Sequence, residues 1–276
     1  LKEPRLLNER PLKVLMKLKW ACRLKLKHLM ESPLHFRHAL LTPWKDTPAM
    51  RIGRAIHAAA LEPMKLGAEY VVYEGRRAGK AWEAFKEMHE GAEILTTAEW
   101  AKVEGAVGSV QERGISWLTK PGLTEHEIEW TEHRVGMACA GRVDRVVDGV
   151  LVEVKSTNVW GERKFASHAA RMGYHMQIAW YLEGLRGAGV DTVGEAVLVA
   201  VQSVPPFDVA VYRVPEEAIL AGRAQIDTLI ERLDECIRSD PWPGIAEGGQ
   251  NVLSLPAWAG LDEPETIEIG DEEWRA

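Results

Sequence analysis

Between Ala140 and Thr157 the chain reads AGRVDRVVDGVLVEVKST, which sets Asp144, Glu153 and Lys155 around an Asp148-Gly149 pair. An Asp-Gly pair between β-branched runs is a strong signal for a two-residue type I′ hairpin. That turn predicts Val147 opposite Val150, Val146 opposite Leu151, Arg145 opposite Val152 and Asp144 opposite Glu153. Residues facing each other across antiparallel strands have Cβ atoms roughly 4.5–5.5 Å apart, where like charges are destabilising. A divalent cation would compensate, because hard ions bind through one or two carboxylates and keep water and phosphate oxygens as other ligands. Strand alternation puts Lys155 beside Glu153 and Arg142 beside Asp144. A cation that polarises a phosphate, with an ammonium to position water or stabilise developing charge, suits phosphodiester hydrolysis. The competing reading is an ordinary solvated face of alternating charges.

The hairpin needs elements to hold it. Alternation from Glu125 predicts strands at 125–131, 137–147 and 150–156. Helices are predicted at 13–31, ending at Ser32-Pro33, at 49–62, near 80–90, at 97–113 behind a Thr96 or Thr97 cap, at 163–187 and at 216–236. The apolar run at 194–202 reads as a strand buried on both faces, and 207–213 as a strand after Pro205-Pro206. Together these predict an α/β fold, a central mixed β-sheet flanked by helices. One domain is expected over 1–240, followed by an acidic, Pro- and Gly-rich tail at 241–276, partly docked through LPAWAG.

Composition narrows the setting. The net charge of -7 argues against a protein that coats nucleic acid indiscriminately, since such binding relies on Lys and Arg neutralising phosphates. A local basic patch remains open to DNA: Lys13, Lys17, Lys19, Arg23, Lys25 and Lys27 crowd the N-terminal region. Three scattered cysteines form neither a CxxC pair nor a disulfide framework, and no apolar run is long enough to span a membrane. A soluble, cytoplasmic protein is expected. The chain opens on Leu1 rather than methionine, which leaves room for residues upstream.

Asp144 followed by Glu153-Val154-Lys155 resembles the PD-(D/E)xK nuclease signature, and other segments extend the likeness. SPLHFRHA at 32–39, GRAIHAAALEP at 53–63, RRAGKAWEAF at 76–85 and HMQIAWY at 175–181 resemble, in order, the RecE-type exonuclease family (the exonuclease VIII C-terminal domain) and its phage relatives. The likeness to lambda exonuclease is more distant. The resemblance implies a restriction-endonuclease-like core and a metal-dependent DNA exonuclease, 5′ to 3′ on double-stranded ends, producing single strands for recombination. It implies Mg²⁺ or Mn²⁺ held by His57, Asp144, Glu153 and the Val154 carbonyl, with Lys155 assisting attack by water. It also places Gln177 and Tyr181, four residues apart on one helix face, beside the active site. A further acid comes from Glu125, Glu127 or Glu129, which alternation puts on one face; Glu125 is favoured by its distance from Trp130. Lys80, Arg142 and Ser32 are candidates for nucleic-acid contact. A homo-oligomeric ring, trimer or tetramer, working with a single-strand annealing protein is the implied assembly. The rivals are a RecB-like or CRISPR-associated nuclease acting on single strands or endonucleolytically, and a scaffold protein that binds DNA without turnover. The scattered cysteines do not suit the four-cysteine iron–sulfur site of the CRISPR-associated group.

Overall fold

The computed structural model describes residues 22–43, 45–239, 241–246, 253, 267–269 and 272–274. The expected helix over 13–31 is therefore seen as α1 (Cys22–Glu31), its earlier turns with Lys13, Lys17 and Lys19 lying outside the described residues, as does LPAWAG. The elements that follow are α2 (Pro33–Leu41), α3 (Pro48–Leu61), α4 (Pro63–Glu69), β1 (Tyr70–Tyr73), α5 (Lys80–Met88), β2 (Glu93–Thr96), α6 (Thr97–Arg113) and α7 (Ser116–Thr119). Then come β3 (Leu123–Glu132), β4 (Met137–Val147), β5 (Val150–Thr157), α8 (Glu162–Met172), α9 (Tyr174–Gly187), β6 (Ala196–Gln202), β7 (Val209–Val214) and α10 (Glu216–Ser239).

The chain divides into two compact units, Leu1–Trp242 and Pro243–Ala276. In the second, β8 (Ile267–Ile269) and β9 (Glu272–Trp274) form a short antiparallel pair.

In the first unit five strands form a mixed sheet in the order β3-β4-β5-β6-β7. All neighbours are antiparallel except β5 and β6, which run parallel. A parallel pair cannot be joined by a tight turn, and α8 with α9 supplies the crossover. Helices cover both faces. On one, Leu29 of α1, Phe36 of α2, Ile178 of α9 and Ile230 of α10 pack against Ile128, Val143, Leu151 and Leu198. On the other, Ile56 of α3 and Val103 and Ala106 of α6 pack against Val152, Val154 and Val199. Strand β6 is buried along its whole length, as a central strand covered on both sides must be.

Local signals explain most boundaries. Helix α6 opens with a reciprocal capping box between Thr96 and Glu99. In the β4–β5 turn Asp148 and Gly149 both have positive φ, 52° and 74°, as a type I′ turn demands. One expectation needs correcting, and three elements carry no sequence expectation. The single helix over 163–187 is two, because Gly173 adopts a left-handed conformation (φ 69°) that caps α8 and starts α9. Residues 33–41 form α2, which Ser32 caps and Pro33 starts. The four-residue strands β1 and β2 pair in parallel beside the main sheet, too short to leave a period in the sequence.

Candidate active site

The β4–β5 hairpin keeps its expected register for three pairs, Val147–Val150, Val146–Leu151 and Arg145–Val152. Continued, it would set Asp144 against Glu153 and bond Val143 to Val154. Instead the ladder stops and the Asp144 carboxylate enters it: the Val154 amide donates to Asp144 Oδ2 at 2.7 Å. In an antiparallel ladder a residue's N–H and C=O face the same neighbour, so the Val154 carbonyl also turns toward this opening. Val143 and Val146 pack in the same core layer although three residues apart, a further sign that alternation breaks between them. The opposed Asp144–Glu153 pair of the sequence reading is thus corrected. Glu153 projects with Leu151 toward α9, while Asp144 is engaged from α3.

Helix α3 brings His57. Thr47 caps the helix and Pro48 starts it, and Ile52, Ala55, Ile56 and Ala59 bury its apolar face. One turn before His57 the helix comes close to β5. A Cβ built at Gly53 would lie 2.8 Å from Ser156 Oγ, so the lack of a side chain there sets the approach. His57 Nε2 then lies 2.9 Å from Asp144 Oδ2, and its Nδ1 lies 3.1 Å from Glu125 Oε1.

Glu125 reaches this group because its backbone is left-handed, φ 47°, which is uncommon for a residue with a side chain. Glu127 and Glu129 remain exposed. The expectation of three glutamates on one strand face is corrected accordingly. Glu125 Oε2 forms an ion pair with Arg142 Nε at 2.7 Å. Its Oε1 is buried and makes no aligned hydrogen bond despite its closeness to the imidazole. His57, Glu125 and Asp144 thus offer one ligand atom each within 4.8 Å of one another. One imidazole nitrogen and two carboxylate oxygens, one of them buried without a hydrogen bond, are a donor set that suits a divalent cation such as Mg²⁺ or Mn²⁺.

Glu153, fully buried, lies outside that trio. Its Oε2 accepts from Lys155 Nζ at 2.7 Å and from Gln177 Nε2 at 2.6 Å. Gln177 stands in the first turn of α9, oriented by the Gly173 break. Lys155 also lies 5.7 Å from the centre of the Tyr174 ring. Burial works against the imidazolium, yet Asp144 and then Glu125 outweigh it and push the His57 pKa up to about 9. For Asp144 burial favours the protonated form, but His57, Lys155 and the Val154 amide together pull its pKa down to about 2.

Other singled-out residues lie elsewhere. Tyr181 is fully enclosed in the core, its ring against Gly141; the aromatic beside Lys155 is Tyr174. Ser32 is buried, accepts from the His35 amide and bonds its ring, so a local capping task replaces the expected contact with nucleic acid. Lys80 is exposed at the start of α5. Arg142, more than half exposed, joins His57, Glu125, Asp144 and Lys155 in lining a cleft of about 1030 Å³. The sequence reading missed Tyr174 and His168, which line the same cleft. Tyr174 follows the break glycine directly, and only recognition of that break would have separated it from the helix interior.

A model of the family described as a PDDEXK-like domain of unknown function (DUF3799) matches residues 24–252. The chain belongs to that family. Among solved structures, this PDDEXK-like chain resembles a candidate exonuclease from Eubacterium rectale, with a TM-score of 0.59 at 12% identity, covering 92% of this chain and 96% of that one. The alkaline exonuclease of Laribacter hongkongensis is matched at a TM-score of 0.31 and 14% identity, over 67% of this chain and 89% of its own. No curated protein matches the sequence. Among the described residues no helix is long and apolar enough to cross a membrane.

Proposed function

We propose that this PDDEXK-like protein is a metal-dependent deoxyribonuclease that degrades double-stranded DNA from its ends, 5′ to 3′, leaving single strands for recombination. The observation that carries the reading is the meeting of His57, Glu125 and Asp144 within 4.8 Å at the open end of the hairpin, with Lys155 held beside them on Glu153. In this reading His57, Glu125 and Asp144, with the Val154 carbonyl turned to the same side, hold Mg²⁺ or Mn²⁺. When bound, the cation polarises the phosphate and lowers the pKa of water.

The chain's own residues supply the rest. Glu153 takes a proton-rich partner on each side, and by anchoring Lys155 and Gln177 through one oxygen it fixes where the ammonium stands. The Lys155 ammonium orients the attacking water and steadies charge that grows on the phosphate oxygens. Arg142, exposed at the cleft, meets a phosphate without reading sequence. Action at ends, a ring of three or four subunits, an annealing partner and a cytoplasmic setting rest on the likeness to RecE-type exonucleases in the segments quoted above.

Digestion of linear duplex labelled at one 5′ or one 3′ end, with Mg²⁺ or chelator, beside a covalently closed circle, tests the proposal. Metal-dependent release from the 5′ label with the circle intact is expected. Cutting of the circle would make the protein an endonuclease, and a lack of cleavage with any metal would leave a DNA-binding scaffold.

A further inference from the structure

Helix α8 enters the crossover between β5 and β6, and its sequence, ERKFASHAARM, carries one acid, Glu162, in its first turn. Phe165 anchors it: the ring is buried and stacks on Tyr212, 5.1 Å between centroids. From that anchor the helix has two working edges. His168 and Met172 line the active-site cleft together with Lys155 and Asp144. Arg163, Lys164, Ser167 and Arg171 line a shallow groove of about 360 Å³ with Val159. Arg163, Ser167 and Arg171 are spaced by four, on one side of the helix.

The charge on this side stands out in a chain with a net charge of -7. Many arginines of the described residues, among them Arg51, Arg54, Arg113 and Arg223, are paired with carboxylates. Arg163, Lys164 and Arg171 are exposed, and among the described residues none of them is in an ion pair. Holding three neighbouring cations outside any ion pair costs self-repulsion, which a polyanion relieves. From Arg163 to Arg171 the helix advances about 12 Å, roughly three to four base steps of duplex.

We propose that the Arg163–Lys164–Arg171 side of α8 is the track on which a DNA strand's phosphates lie as the strand enters the cleft. This inference rests on the nuclease reading and adds to it the surface that holds the substrate outside the reacting centre. It also answers how an acidic chain keeps hold of DNA: a few cations beside the site, in no ion pair among the described residues, provide the local attraction.

The test measures binding of a phosphorothioate duplex of about 20 base pairs in Mg²⁺ by fluorescence polarisation at several salt concentrations. Arg163→Ala/Arg171→Ala is compared with Arg186→Ala/Arg213→Ala, which changes net charge equally in a cavity that shares no lining residue with the cleft. Loss of two phosphate contacts should weaken binding about tenfold near physiological salt and flatten the log–log salt slope by about 1.8. The control pair should shift affinity less than twofold, and Arg163→Lys/Arg171→Lys should restore most of the loss. An unchanged slope in the alanine pair, or an equal loss in the control, overturns the track while leaving the nuclease reading intact. Failure of the wild-type protein both to bind and to cut DNA overturns that reading, and the track with it.

Discussion

Helix α3 carries two ionic clusters less than two turns apart, and they are finished differently. Around Arg51, the Glu99 carboxylate is used completely: Oε1 accepts from Arg51, and Oε2 accepts from Arg77 and from the Thr96 amide and hydroxyl. Around His57, Glu125 and Asp144 crowd one opening in the sheet, and Glu125 Oε1 is buried without an aligned hydrogen bond. In the Arg51 cluster the carboxylate is matched from within, as buried negative charge left unmatched is costly, although Arg51 Nε and Arg77 Nε stay buried without hydrogen-bond partners. The second cluster keeps carboxylate capacity facing a cleft, and it is balanced here by a proton that His57 holds up to a pKa of about 9. Unfinished acid next to an open cleft separates a site from a structural ion cluster better than the number of charges does.

Breaking the site cluster should cost activity and little fold. The largest effect is expected from Asp144→Asn: cleavage of linear DNA falls at least about 10³-fold with circular dichroism unchanged. Retained turnover would remove Asp144 from the chemistry. Lys155→Ala should lower the rate by about 10²–10³-fold while calorimetry still detects metal binding. Lost metal affinity would instead give Lys155 a structural task.

Breaking the Arg51 cluster should do the reverse. Glu99→Gln is expected to destabilise the fold by about 2–3 kcal/mol, since it weakens charged hydrogen bonds to two arginines and the helix cap; urea unfolding measures this, and activity per folded molecule should hold. Burial raises the Glu99 pKa, but the Thr96 amide and Arg51 more than offset it, and the net shift is downward from the ordinary 4.5. Glu99 therefore contributes stability that is present above pH 4.5 and lost as pH falls through its lowered folded value. Melting curves of wild type and Glu99→Gln should converge over that acid range; parallel curves would contradict it. The smallest effect belongs to Lys120→Ala, which removes an exposed 3.1 Å pair with Asp148 and should change stability by less than about 0.5 kcal/mol.

Some of this was legible in the residues. Alternation and the Asp148-Gly149 turn placed β4 and β5 and their first three pairs, since a type I′ turn leaves one register. The Thr96 cap and the apolar stripe of α3 were likewise local signals. Glu125 was favoured over Glu127 and Glu129 only by its distance from Trp130, because a period of two treats them alike and a single left-handed residue has no pattern.

The sequence by itself determined the hairpin, the buried β6 and the amphipathic helices, all properties of neighbouring residues obeying one period. The tertiary structure decided which charges meet. His57 stands 87 positions before Asp144 and reaches it only because α3 packs against β5 with Gly53 at the contact. Gln177 reaches Glu153 only because Gly173 breaks one predicted helix into two. Distances between side chains on different elements depend on how those elements pack, and no local period encodes that.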